Sequence, residues 1–149
     1  MNRIEKLSHY AIVVLAVSAL VVSVWQANIT IQHNKLTVKP YLDYRLTQQD
    51  SVLTVNFSNE GFGPAILEKV EFYYQEKHFE TIWGVLEEMG EVDNWRGSFN
   101  YGTGTVISPG ANKLLISLHG GSDPRGIKTV ILYKSIYEEA KPYRLELNY

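Results

Sequence analysis

Residues 10–25 read YAIVVLAVSALVVSVW, and this apolar stretch constrains the fold more than any other part of the chain. The sequence carries no Asp, Glu, Lys or Arg at positions 7–34. A helix needs roughly 20 residues of this kind to cross a hydrocarbon core of about 30 Å. An aromatic residue stands at each end of the stretch, where such side chains favour the lipid headgroups. We therefore predict a single transmembrane helix over residues 10–31, preceded by a flank of residues 1–9.

Three alternatives to a spanning helix follow from the same stretch. A cleavable signal peptide has an acceptable site at Val17-Ser18-Ala19, but the apolar run continues beyond it to Trp25. A buried core helix is a second alternative, although the stretch is apolar all round and rich in β-branched residues. A surface amphipathic helix is excluded because the stretch has no polar face. Ala19 and Ser23 form a small-xxx-small pair, so self-association of the helix is a further hypothesis.

Flanking positive charge predicts the orientation of the helix. Arg3 and Lys6 lie close to its start, whereas Lys35 and Lys39 lie farther from its end. Because cytoplasmic flanks carry the excess of Lys and Arg, we expect a cytoplasmic N-terminus and an extracytoplasmic C-terminal domain.

Pro40 marks the transition from the anchor to the following domain. It ends any helix and favours extended backbone at the residue before it. We expect a juxtamembrane linker over residues 32–40 and a domain over residues 41–149. The domain carries 10 basic and 15 acidic residues, a net charge of −5.

The domain has the pattern of an all-β fold. Alternating or short apolar segments occur at residues 41–46, 52–57, 65–74, 114–118, 129–133 and 143–147. Glu68 interrupts the alternation of the third segment, which predicts a bulge or an edge there. Turn residues separate the segments, including Ser108-Pro109-Gly110 and residues 120–124. Six or seven strands without alternating helices predict an antiparallel β-sandwich or barrel.

One short helix is predicted within the β-pattern, over residues 80–90. Its apolar positions follow helical spacing and are Ile82, Val85, Leu86 and Met89. Glu80 stands near its start, and Gly90 supplies a C-terminal stop.

Two motifs carry a resemblance to known proteins. Residues 33–40 read HNKLTVKP and residues 59–65 read NEGFGPA. The chain resembles a group of small, largely uncharacterised bacterial proteins with one N-terminal membrane helix, an HN(R/K)LSV(R/K)P-like junction and an NxGxGPA turn. A PG turn and a Tyr-x-Ser-x-Tyr segment at residues 133–137 follow in the same order, while Thr37 replaces the expected Ser. The resemblance implies an inner-membrane protein with an immunoglobulin-like domain, and it implies no catalytic residues.

The second motif has a direct physical interpretation as a structural turn made by Asn59, Gly61, Gly63 and Pro64. Both glycines can take positive φ without a Cβ clash, and the proline fixes φ. An anion-binding loop is the alternative, but such loops lead into a helix and this segment leads into a strand.

Catalytic and metal-binding patterns are missing from the sequence. It has no cysteine, its four histidines lack zinc-site spacing, and no G-x-S-x-G element accompanies His119. The carboxylate pairs Glu87-Glu88 and Glu138-Glu139 are chain neighbours, which do not face each other on a helix. We predict no catalytic residue, cofactor or metal, and the net charge of −2 does not indicate a nucleic-acid partner.

The best candidate for a functional surface lies around the predicted helix. Residues 76–93 carry a net charge of −5, and aromatic residues lie within and after this segment. Aromatic side chains with charged neighbours are typical of recognition surfaces. The candidate interaction surface consists of Trp83, Glu87, Glu88, Trp95, Phe99 and Tyr101. The alternative is that these aromatic residues only close the open end of the sandwich.

These observations predict a membrane-tethered, non-catalytic interaction module that contacts the bilayer through its helix and binds an unknown protein or envelope component. The alternative is a membrane-acting effector whose cytoplasmic β-domain senses a ligand. A small hydrolase is the third hypothesis, since fold alone excludes no activity.

Overall fold

The protein is described here by a computed structural model that covers residues 3–119, 124–137 and 141–149. It contains two compact units with a boundary between Thr37 and Val38. Most of the turn predicted at residues 120–124 and the pair Glu138-Glu139 lie outside the described residues.

The first unit is one helix, α1, over Arg3–Thr37. Its 35 residues span about 52 Å at 1.5 Å per residue, and it is long and apolar enough to cross a membrane. It continues through most of the segment predicted as a linker and ends three residues before Pro40. Four hydroxyl side chains of α1 donate to the carbonyl four residues earlier, at Ser18, Ser23, Thr30 and Thr37.

The second unit, which starts at Val38, has two antiparallel β-sheets. In chain order, its described strands are β1 Leu42–Gln49, β2 Val52–Asn59, β3 Ala65–Tyr74, β4 Lys77–Phe79, β5 Trp95–Ser98, β6 Val106–Ile107, β7 Asn112–His119, β8 Ile127–Lys134 and β9 Tyr143–Asn148. One sheet has the order β1-β2-β7-β5 and the other has the order β4-β3-β8-β9, with β6 also paired to β3. The predicted mainly β fold with one helix is confirmed.

Strand β2 places alternate residues in the core. In β2, Leu53, Val55 and Phe57 are buried while the residues between them are partly exposed. The predicted bulge in β3 is confirmed, because its register against β8 shifts between Leu67 and Lys69. The bulge changes which residues face inward, so that Leu67 is buried before it and Phe72 after it.

The predicted short helix is α2, over Ile82–Met89. Its N-cap is Thr81, whose hydroxyl accepts a hydrogen bond from the backbone N–H of Gly84. Gly90 ends the helix in the left-handed conformation, with φ of 71°. Ile82, Val85 and Leu86 are buried in the core, and the predicted Met89 is partly buried against it.

The end of the first motif meets the second in the folded domain, where the backbone of residues 38–40 passes close to Gly61 and Gly63. Asn59 ends β2, is fully buried and uses both ends of its amide. Its Oδ1 accepts from the N–H of Tyr41 at 3.2 Å and of Gly61 at 3.0 Å. Its Nδ2 donates to the carbonyls of Gly63 at 2.8 Å and Ile107 at 2.9 Å. We call this arrangement the Asn59 clamp, since it joins the start of the domain to the 59–65 turn.

The two glycines are required for a reason other than the positive φ expected from the sequence. Neither Gly61 nor Gly63 adopts a positive φ, so the expected reason for them is wrong. A Cβ on Gly61 would lie 2.5 Å from the carbonyl oxygen of Lys39, and one on Gly63 would overlap the carbonyl of Val38. Both positions therefore require glycine because another backbone segment passes too close for a side chain.

Candidate functional site

Trp83 and Glu87 share the side of α2 that faces away from the core. They are four residues apart, which brings their side chains together on a helix. Trp83 Nε1 donates a hydrogen bond to Glu87 Oε1 at 2.6 Å. The buried side chains of α2 hold the helix against the sheets, so this pair is presented from a rigid element.

The chain after α2 turns back and places Trp95 beside Trp83. The left-handed Gly90 and a 3-10 turn over Val92–Asn94 lead directly into β5, which begins at Trp95 and pairs with β7. The two indole rings meet edge to face, with centroids 5.5 Å apart and planes at 84°. This T-shaped arrangement is a favourable aromatic contact. We call Trp83, Glu87 and Trp95 the tryptophan patch.

Both rings of the tryptophan patch remain accessible. Trp83 is 39% exposed and Trp95 is 40% exposed. Closure of the open end of the sandwich accounts for the covered part of each residue, and the exposed part is available to a partner. Exposed large aromatic residues in contact with each other are a feature of binding surfaces rather than of ordinary protein surface.

The hydrogen bonds of the patch use up its indole donors. Trp83 Nε1 binds Glu87, and Trp95 Nε1 donates to Ser98 Oγ at 3.2 Å. The groups left for a partner are the electron-rich ring faces and the Glu87 carboxylate. The carboxylate accepts the hydrogen bond from Trp83 Nε1 through Oε1 alone. The patch therefore offers acceptors and apolar surface to a partner.

The charged residues nearest in the chain fall into separate contacts. Glu88 forms an ion pair with Lys77 of β4. Arg96 follows Trp95 directly but lines a shallow cleft with Thr47, Asp50 and Thr54. Neighbouring residues of a strand point to opposite faces of the sheet, which accounts for this separation.

Phe99 and Tyr101 form a second aromatic group after β5. Their ring centroids lie 6.3 Å apart, and Tyr101 also contacts the buried Phe57 edge to face at 5.1 Å. The Tyr101 hydroxyl donates to the carbonyl of Leu114 at 2.7 Å. Burial raises the pKa of the Tyr101 phenol above its ordinary value of 10.0. Tyr101 therefore anchors its loop to the core, while Phe99 is 58% exposed.

A shallow cleft of about 340 Å³ lies beside this second group. Tyr101 lines it together with Lys69, Val70, Glu80 and Thr103. The candidate residues are thus divided between two groups: Trp83 contacts Glu87 and Trp95 in the first, and Phe99 contacts Tyr101 in the second.

Sequence analysis missed three residues that organise this surface. Thr81 caps α2, and a Thr directly before the first apolar position is the signal that could have identified it. Ser98 accepts the Trp95 hydrogen bond and Lys77 neutralises Glu88. The last two contacts depend on β4 and β5, for which the sequence has no clear strand pattern.

Neither a metal site among the described residues nor a match to a known protein adds an indication of function. Within the described ranges, no group of three or more His, Cys, Asp or Glu side chains could hold a metal ion. No family model matches the chain, and no curated protein matches it.

Proposed function

We propose that this protein is a membrane-tethered, non-catalytic interaction module that binds a protein or envelope component through the tryptophan patch. The observation that carries the proposal is the exposed contact between Trp83 and Trp95, which two separate elements support from the core side. Anchor residues of protein interfaces are most often Trp, Tyr or Arg held rigidly at the centre of a contact area. The apolar helix α1 supplies the tether.

The strand order supports an immunoglobulin-like classification of the domain. Without the two-residue β6, the order β1-β2-β7-β5 corresponds to strands A, B, E and D of that fold. The order β4-β3-β8-β9 corresponds in the same way to C′, C, F and G. Kinship with the small bacterial proteins that share both motifs belongs to the same proposal, and the close approach of Val38 and Lys39 in the first motif to the glycines of the second favours it.

We place the protein in a bacterial inner membrane, with a cytoplasmic N-terminus and an extracytoplasmic domain. The charges of Arg3 and Lys6 before the apolar stretch favour this orientation. A periplasm-active reporter fused after Tyr149 is expected to be active, and a cytoplasm-active reporter at the same position inactive. The reverse result would overturn the orientation and favour the alternative of a cytoplasmic sensor that acts on the membrane.

Site-specific photo-cross-linking tests the binding function. A benzoylphenylalanine at position 83 of the full chain in bacterial cells is expected to give a discrete adduct. The matched control is position 62, where Phe62 is 85% exposed and lies in the 59–65 turn. Adding Trp95→Ala should weaken the adduct from position 83, because the partner loses one of the two aromatic side chains of the patch. Equal adducts from both positions, or none from position 83, would contradict the proposal.

A further inference from the structure

The tryptophan patch constrains the chemistry of its partner as well as its location. Both indole N–H groups are bonded within the domain, to Glu87 and to Ser98. A partner that brings acceptors would find no indole donor there, and an anionic partner would meet the Glu87 carboxylate. A partner that brings donors and positive charge would meet only complementary groups.

The ring faces favour the same chemistry. The face of an indole carries negative charge density and attracts a Lys or Arg side chain within about 6 Å of the ring centroid. Two indoles at 84° form an open corner, in which a cation can lie against an exposed ring face. The Glu87 carboxylate is fixed at this corner by its bond to Trp83.

The surrounding charge extends this complementarity. Residues 76–93 contain six carboxylates and one lysine, and that lysine is paired with Glu88. The nearest following cation, Arg96, lines the cleft with Thr47 and Thr54. Exposure of 39% and 40% makes the corner an open surface rather than a closed cage, which suits a protein segment better than a small ligand.

We propose that the tryptophan patch binds a basic protein segment, with a Lys or Arg side chain seated against the indoles beside Glu87. This inference rests on the proposed binding function and adds the partner's charge to it. The neutral alkyl stem of the Lys or Arg would cover apolar ring surface while its charged end reaches the carboxylate.

Fluorescence anisotropy with a labelled octalysine peptide tests this chemistry on the full chain in uncharged maltoside micelles. Octalysine is expected to bind and octaglutamate is not, and added salt should weaken binding because it screens exposed charges. Glu87→Gln keeps an acceptor for the Trp83 N–H but removes the charge, so binding should weaken by about threefold. The control Glu76→Gln makes the same change of net charge in the β3–β4 turn and should have a smaller effect.

The double variant Trp83→Leu/Trp95→Leu isolates the ring faces, since leucine keeps apolar bulk without the aromatic charge distribution. We expect about fivefold weaker binding of octalysine. Equal losses for Glu87→Gln and Glu76→Gln would overturn the inference by indicating general attraction to an acidic domain. The comparison of Glu87→Gln with Glu76→Gln distinguishes a specific site from general charge attraction by itself. The test therefore holds even if the leucine variant does not fold.

Competition separates this inference from the proposed function. Octalysine should suppress the cross-linked adduct formed from position 83. If the adduct forms and octalysine leaves it unchanged, the binding function stands and the basic partner is wrong. If choline suppresses it and octalysine does not, the occupant is a small quaternary ammonium group, which also overturns the inference. If no adduct forms and octalysine does not bind, both proposals fail.

Discussion

Gly63→Ala is expected to destabilise the β-domain by about 3 kcal/mol, at the upper end of what added bulk costs in a packed site. The new Cβ would overlap the carbonyl oxygen of Val38, which is backbone and cannot turn away like a side chain. Relief requires the start of the domain to move away from the 59–65 turn. Moving it would also stretch the hydrogen bonds of the Asn59 clamp.

Thermal unfolding of the full chain in micelles, followed by near-ultraviolet circular dichroism, measures this effect. A loss of this size should lower the melting temperature by about 10 °C for a domain of this length. Gly102→Ala is the matched control, because its Cβ would have no atom within 4 Å and its φ is not in the left-handed region. A Gly63→Ala midpoint equal to that of Gly102→Ala would show that the close approach of the two segments is absent in solution.

Local patterns predict the fold best where one period dominates a segment. Strand β2 alternates apolar and polar residues, and Leu53, Val55 and Phe57 are indeed buried. Glu68 marks the bulge of β3 because a charged residue would otherwise face the core. In α2, the apolar positions predict the buried face, since helical spacing determines which side chains can meet the sheets.

The strands that sequence analysis missed are those without a local signal. Strand β4 has three residues and follows a turn at Gln75 and Glu76, both with positive φ. Neither residue is the Gly or Asn that usually marks such a turn, so the hairpin is not recognisable from its turn chemistry. Strand β5 contains Gly97 and a register shift, which together remove the alternation.

The candidate site required contacts between distant parts of the chain. Sequence analysis selected Trp83, Glu87 and Trp95 because acidic and aromatic residues are concentrated there. It could not pair the two indoles, since their contact depends on β5 lying beside α2. The explanation of the motif glycines was wrong for the same reason, because the atoms that exclude a side chain there belong to residues 38–41, 20 to 25 positions earlier in the chain.

Asn59→Ala is expected to lower the free energy of unfolding by about 4 kcal/mol or more, because it deletes a buried side chain that makes four hydrogen bonds. The N–H groups of Tyr41 and Gly61 and the carbonyls of Gly63 and Ile107 would lose their partner. Each buried polar group left without a partner costs about 1–3 kcal/mol, although water entering the vacated space recovers part of this. Against a typical total stability of about 5–15 kcal/mol, the domain would be only marginally folded.

Asn59→Asp separates the donor half of the clamp from the acceptor half. Aspartate keeps oxygens for the two N–H groups, but it places a second oxygen against the carbonyls of Gly63 and Ile107. A charged carboxylate there is repelled by both carbonyls and is poorly solvated, whereas a protonated one donates to one of them. We therefore expect Asn59→Asp to be less destabilised in mild acid than at neutral pH, and Asn59→Ala to show no such difference.

Amide hydrogen exchange provides the local measurement for both variants. Exchange at Tyr41 and Gly61 should become much faster in Asn59→Ala, since these two N–H groups donate to the asparagine side chain. In Asn59→Asp they should stay protected at any pH where the domain is folded, because the carboxylate still accepts from them. Asn148→Ala, at an exposed position near the end of β9, is the control for loss of a side-chain amide that makes no clamp. Equal protection of Tyr41 and Gly61 in all three variants would mean that the clamp does not hold the domain's first residues, and that another contact must keep the start of the domain in place.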